Sequence, residues 1–187
     1  MNDLSHVLRD LVPLFERLEV PYAVMGGIAV RAYGIPRPTY DVDFTAALPR
    51  ERLADFYTEA EELGYTVPEP YKTGWVDRVA NMPVVKVRLH VEDRGIDVDV
   101  FLAESPFQQQ VLERRRREQV GDRAMWMVSP EDLILLKLLA RRPRDLADIG
   151  DVLFTQGQLD EDYLRQWAEQ LGVLDELEKV LASSERA

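Results

Sequence analysis

Two short acidic patterns carry the chemistry open to this chain. Asp41-Val-Asp43 and Asp97-Val-Asp99 each alternate carboxylates with an apolar residue, the period of a β-strand. Within each pair both carboxylates leave one face while the valine enters the core. Paired carboxylates repel unless they are solvated, one is protonated, or a cation lies between them. Each pair alone is equally well a solvated strand end, and Asp97 and Asp99 stand as alternatives. Gly26-Gly27 follows the apolar Tyr22-Ala-Val-Met25 and precedes a helical pattern, so its N–H groups can face a phosphate. A tight strand-to-helix turn would use the same residues. Lys137 is the one charge in Leu133-Ile-Leu-Leu-Lys-Leu-Leu-Ala140. It must snorkel to water or meet a phosphate or carboxylate. Asp145 and Asp148, three apart on a helix, suit salt bridges to another helix. The run Arg114 to Arg117 reads as a solvated helix face or a local contact to an RNA end.

These residues need elements to hold them. Leu4, Val7, Leu8, Leu11, Leu14 and Leu18 recur at helical spacing and predict an amphipathic first helix, broken by Pro21. Strands are expected over 22–25, 41–46, 84–91, 96–102 and 124–128. Helices are expected over 28–33 and 51–63, with a short one after Pro106. Pro68 to Asn81, with Pro70 and Gly74, predicts a long loop. Glu92-Asp-Arg-Gly95 reads as a four-residue hairpin turn, which would set His90 against Asp97 and Arg88 against Asp99. From Ser129 the pattern is helical, over about 130–141, 144–155, 160–171 and 173–182. Ser129 can cap, Pro130 suits the first helical position, and Glu131 and Asp132 complement the helix dipole. The expected division is a mixed α/β catalytic domain over 1–128 and a helical region over 129–187 packed on it.

Composition narrows the chemistry. The 187 residues include no cysteine and only two histidines, His6 and His90. Disulfides, thiolate zinc sites, iron–sulfur clusters and cysteine nucleophiles are thereby excluded. With 23 Lys+Arg against 34 Asp+Glu the net charge is −11, which repels phosphate backbone and disfavours extended DNA binding. The same field tolerates a cationic small substrate, a basic partner or divalent cations. Lysine occurs only at positions 72, 86, 137 and 179. No apolar run approaches the ~20 residues of a membrane span, and Met1 to His6 lack a basic-then-apolar secretion pattern. A cytoplasmic address is the expectation.

In combination the motifs are more specific. The strand, Gly26-Gly27, helix and Arg37-Pro-Thr-Tyr-Asp-Val-Asp-Phe44 resemble the nucleotidyltransferase fold of the DNA polymerase β-like superfamily. They look closest to its AbiEii-type, toxin-like branch. The resemblance continues in Asp99-Val-Phe-Leu-Ala-Glu-Ser-Pro-Phe107, in Ser129 to Lys137 and in Arg144-Asp-Leu-Ala-Asp148, so it spans about residues 20–153. It implies an α/β (α+β) fold, a mixed sheet flanked by helices with a C-terminal helical bundle. In such proteins the third carboxylate precedes an apolar stretch and a Pro-Phe helix start, which selects Asp99 over Asp97.

The activity implied is transfer of a nucleoside monophosphate from an NTP to an acceptor, with release of pyrophosphate. Asp41, Asp43 and Asp99 would be the catalytic carboxylates and would hold Mg2+ or Mn2+. Gly26 and Gly27 would cradle the β- and γ-phosphates and Lys137 would meet the same charge. Arg37 and Thr39 would orient the triphosphate, and Asp99 would take the acceptor proton. Arg88, Asp97, Asp145 and Asp148 are secondary candidates. The toxin-like branch implies a tRNA end or a protein as acceptor and an antitoxin as partner. Small antibiotic-modifying members carry Gly-Ser nearer the acidic pair, so they match less well. Transfer to an aminoglycoside-like cation and a non-catalytic nucleotide- or partner-binding module are the alternatives.

Overall fold

The computed structural model describes residues 3–72, 75–76, 81–91 and 94–184. The leucine spacing at the N-terminus folds as α1 (Asp3–Arg17), which buries Val7, Leu11, Leu14 and Phe15 completely. Then come β1 (Tyr22–Met25), α2 (Gly26–Tyr33) and β2 (Val42–Ala46). A 3₁₀ turn at Arg50–Arg52 leads into α3 (Leu53–Glu62). The next segment is not one uninterrupted loop. After β3 (Tyr65–Thr66), the expected loop 68–81 holds a 3₁₀ turn at Glu69–Tyr71 and β4 (Trp75–Val76), and both short strands pair with β5 (Pro83–Val91). Gly74 and residues 77–80 of that expected loop lie outside the described residues.

β5 forms a hairpin with β6 (Arg94–Leu102), and here the expected register is corrected. Val91 pairs with Arg94, so Arg88 faces Asp97 and Lys86 faces Asp99. The pairing is shifted by two residues from a four-residue turn, which keeps every side chain on its expected face. Glu92 and Asp93, part of the expected turn, lie outside the described residues.

The arginine run is also corrected. After α4 (Pro106–Glu113), Arg114 caps the helix, and Arg116 and Arg117 belong to β7 (Arg116–Val120), paired with β8 (Arg123–Met127). The run has aromatic partners rather than a solvated helix face. Arg115 and Arg117 lie 4.6 Å and 5.4 Å from the Trp126 ring, and Arg114 lies 3.7 Å from that of Tyr163.

Among the described residues the strands form one mixed sheet, ordered β3-β5-β6-β2-β1-β8-β7, with β4 also on β5. β2 runs parallel to β6, and β1 parallel to β8. Phe15 packs on Tyr22, Phe44 and Phe56 with ring centroids 5.1–5.6 Å apart, so α1 and α3 cover the Phe44 face. Residues 41 and 43, out of phase with Phe44, point to the opposite face. That side carries α2 and the helices α5 (Pro130–Ala140), α6 (Pro143–Thr155), α7 (Glu161–Gln170) and α8 (Leu174–Ser184). As expected, Ser129 caps α5 by accepting the Asp132 N–H at 3.1 Å. α5 is buried from Pro130 to Leu138, its leucines and isoleucine in the core and its charged Glu131, Asp132 and Lys137 each held by partners. No described helix is long and apolar enough to cross a membrane.

Candidate active site

The site begins where β1 turns directly into α2. Gly26 makes the turn at φ +64°, in the left-handed region. Close approach requires glycine as well. A Cβ on Gly26 would stand 1.9 Å from Asp43 Oδ2, and one on Gly27 would stand 2.4 Å from Thr39 Oγ1. The pair therefore makes a notch into which the acidic strand and its preceding loop press their oxygens.

Strand register gathers the carboxylates. The parallel pairing of β2 with β6 sets Asp43 beside Asp99, on adjacent strands separated by about 4.8 Å. Asp41 accepts a hydrogen bond from Thr39 Oγ1 at 2.9 Å. Burial pushes the Asp43 carboxyl up to about 7, and the neighbouring Asp41 and Asp99 add to that, against Lys137 and Arg142. Burial also lifts Asp99 above the usual carboxylate range, although Lys86 pulls the other way. Lys86 Nζ lies 2.9 Å from Asp99 Oδ1, an ion pair at contact distance.

A second charged group forms the facing wall. Lys137, on α5, is only 9% exposed and donates to Asp145 Oδ1 at 2.8 Å and Asp148 Oδ2 at 2.6 Å. Its burial is thus answered by carboxylates. Arg37 donates to the two oxygens of Asp148 at 2.6 Å and 2.7 Å, and Asp145 also accepts the Arg142 N–H at 3.0 Å. Burial works to raise Asp148, but Arg37 and Lys137 outweigh it and hold this carboxyl below its ordinary range. Arg37, expected on the triphosphate, is here the clamp that ties the loop before β2 to α6.

These groups line one cavity of about 250 Å³. It brings together Gly26, Gly27, Arg37, Thr39, Asp41, Asp43, Asp99, Lys137 and Asp145 of the sequence candidates. Asp148 joins through its pairs with Lys137 and Arg37. Arg88 and Asp97 pair with each other at 2.5 Å, outside the cavity lining. The cavity adds residues that sequence reasoning missed: Tyr71, Met82, Lys86, Arg142 and Arg144. One signal for Lys86 was its place among only four lysines, on a strand beside acidic residues; the misplaced register hid its partner. The cavity lining holds five cationic side chains against four carboxylates, a local excess in a chain of net charge −11.

The donor set suits a hard dication. It is all oxygen, and burial beside Asp41 and Asp99 makes Asp43 resist ionising without a nearby cation. Still, among the described residues no three His, Cys, Asp or Glu stand grouped closely enough to form a ready metal cage.

Comparison with known proteins completes the assignment. No curated protein matches the chain. Among solved structures it is similar to an antigenic nucleotidyltransferase-like protein from Paracoccidioides brasiliensis, with 20% identity and TM-score 0.57 over 96% of this chain and 92% of that one. It is also similar to ANT(2")-Ia in complex with adenylyl-2"-tobramycin, with 16% identity and TM-score 0.55 over 92% and 95% of the two chains. At such identities the likeness is one of fold. The profile described as "Nucleotidyl transferase AbiEii toxin, Type IV TA system" matches residues 7–179. The chain therefore belongs to the AbiEii family of nucleotidyltransferases, enzymes that transfer a nucleoside monophosphate.

Proposed function

We propose that this enzyme moves a nucleoside monophosphate from an NTP to a hydroxyl of a tRNA end or a protein, as a toxin held in check by an antitoxin. The observation that carries this reading is the convergence of Asp41, Asp43 and Asp99 with the Gly26-Gly27 notch in a locally cationic cavity. The acceptor oxygen attacks the α-phosphorus, the new O–P bond forms as the α–β bridge breaks, and pyrophosphate leaves. Asp99, across the strand pair from Asp43, receives the acceptor proton. Asp41 and Asp43 would hold Mg2+ or Mn2+, which would supply charge neutralisation for the triphosphate and polarisation of the phosphoryl group. Arg142 and Arg144, exposed at the start of α6 and free of ion pairs among the described residues, receive the leaving phosphates. Lys137 and Asp148 keep Arg37 and the α6 wall in place around them. In this division the catalytic groups sit largely on residues 1–128, while the helical region 129–187 supplies the cationic wall.

The test is incubation with each labelled NTP, divalent cation, total RNA and cell extract, followed by identification of the labelled product. Asp41→Ala and Asp43→Ala each lose at least about 10²-fold in transfer rate, the scale of removing one transition-state stabilising group. Unchanged label in either variant rejects the reading. A cationic small-molecule acceptor is the second reading, favoured by the net charge of −11 and the fold shared with ANT(2")-Ia. Aminoglycoside resistance conferred on a sensitive host, with no labelled RNA or protein, would establish it instead.

A further inference from the structure

We propose that Lys86 replaces one divalent cation at Asp99, so that this enzyme transfers the nucleotide with a single metal ion, held by Asp41 and Asp43. The inference rests on the reaction proposed above and assigns how its third carboxylate is neutralised. Asp99 then acts as a lysine-paired acceptor of the proton rather than as a ligand to a second ion.

Register and geometry place the ammonium. Lys86 stands directly across the hairpin from Asp99, and its side chain is only 18% exposed. Nζ lies 2.9 Å from Asp99 Oδ1 and 3.5 Å from Asp97 Oδ2. Lys86 also donates to Asp97 at 3.5 Å, but Arg88 holds Asp97 more closely, at 2.5 Å, and the shorter contact of Lys86 is the one to Asp99. The Tyr71 ring, 5.6 Å from Nζ, adds a favourable surface for the ammonium on that wall.

Charge balance points the same way. Asp41, Asp43 and Asp99 together carry three negative charges when ionised. One dication and one ammonium cancel them in the protein without nucleotide. A dication on Asp99 would also share its carboxylate with an ammonium already within contact distance, and two cations so close in a partly buried site repel strongly.

The experiment counts metal ions rather than turnover. The protein is crystallised with Mn2+ and an α,β-methylene NTP analogue, and anomalous scattering locates manganese in the cavity. One Mn2+ per chain is expected in the wild type and in Lys86→Arg, and two in Lys86→Met, where Asp99 is left to recruit its own ion. Two Mn2+ in the wild type overturn the proposal without any variant. A single Mn2+ in Lys86→Met also overturns it, since the lysine would then exclude nothing. Nucleotide bound with no Mn2+ in any form removes the metal-dependent reaction itself, and the proposal with it. In solution, Lys86→Met gains a second-order dependence of rate on Mn2+ concentration, and Lys86→Arg keeps the wild-type dependence.

Discussion

The two charged walls of the cavity are built from the same residue types and are left in opposite states. On the α5–α6 side, Lys137 and Arg37 meet Asp145 and Asp148 in four contacts of 2.6–2.8 Å, and Asp148 is held in its ionised form. On the sheet side, among the described residues, Lys86 beside Asp99 is the one cation in contact with Asp41, Asp43 or Asp99, and Asp43 is pushed up to about 7. The first wall is complete in the protein as it stands. The second is short of positive charge, the condition under which a carboxylate set gains from binding a cation. One cluster is matched in charge and the other is not.

The largest effect that separates the walls is expected at Lys137. Lys137→Met leaves Asp145 and Asp148 buried with one cation, Arg37, between them. Breaking a buried pair in this way costs about 3–5 kcal/mol. For a chain of this size that lowers the melting temperature by about 10 °C. Adding Asp145→Asn should recover part of the loss, because it removes the orphaned charge. If Lys137→Met melts within a degree or two of wild type, the α5–α6 wall is not the structural clamp described here.

The glycine notch gives a second, smaller contrast. Gly26→Ala places a methyl group 1.9 Å from Asp43 Oδ2 at a φ of +64°. Gly64→Ala meets the backbone penalty alone, at φ +89° with no atom within 4 Å. The left-handed conformation costs a non-glycine residue roughly 1–2 kcal/mol, and crowding adds about 1–3 kcal/mol. Gly26→Ala is therefore the more destabilised of the two in thermal melts. It also loses nucleotide transfer, whereas Gly64→Ala keeps it. Equal activity in the two variants would show that the notch does not position Asp43.

Much of this arrangement was legible in the sequence because alternation decides which face a strand residue takes. Asp41 and Asp43 opposite Phe44 and Ser129-Pro130 at a helix start followed from local pattern, which for Lys137 left open whether it reaches water or an anion. Register did not. A two-residue and a four-residue turn between β5 and β6 preserve the same alternation, so the pattern could not tell whether Arg88 or Lys86 meets Asp99. Arg37 finds Asp148 across 111 residues of chain, a tertiary pairing that no local period encodes. The arginines 114–117 carry charge without periodicity, and their strand became visible only through pairing with β8 and contact with Trp126.

The finest test of the contrast is the pH dependence of stability, measured without and with a divalent cation. Asp43 has a folded value of about 7 against an ordinary value of 3.8, so the folded protein binds the proton more tightly than the unfolded chain. Stability of the metal-free protein should then fall as pH rises from about 4 to 7 and level off above it. Asp43→Asn removes that slope, and at pH 8 the variant should be more stable than wild type by about 1–3 kcal/mol, while at pH 4 the two converge. Mg2+ should recover the loss in wild type and leave the variant unmoved. Asp148 has the opposite sign: its depressed value contributes stability above its unfolded pKa that is lost as pH falls through the folded one. Asp148→Asn should therefore weaken the protein at neutral pH and flatten the acid limb, where Asp43→Asn leaves that limb intact. Chemical-denaturation midpoints across pH 3–9 for the three proteins would separate the walls, and matching slopes in both variants would erase the distinction between a satisfied cluster and one awaiting its cation.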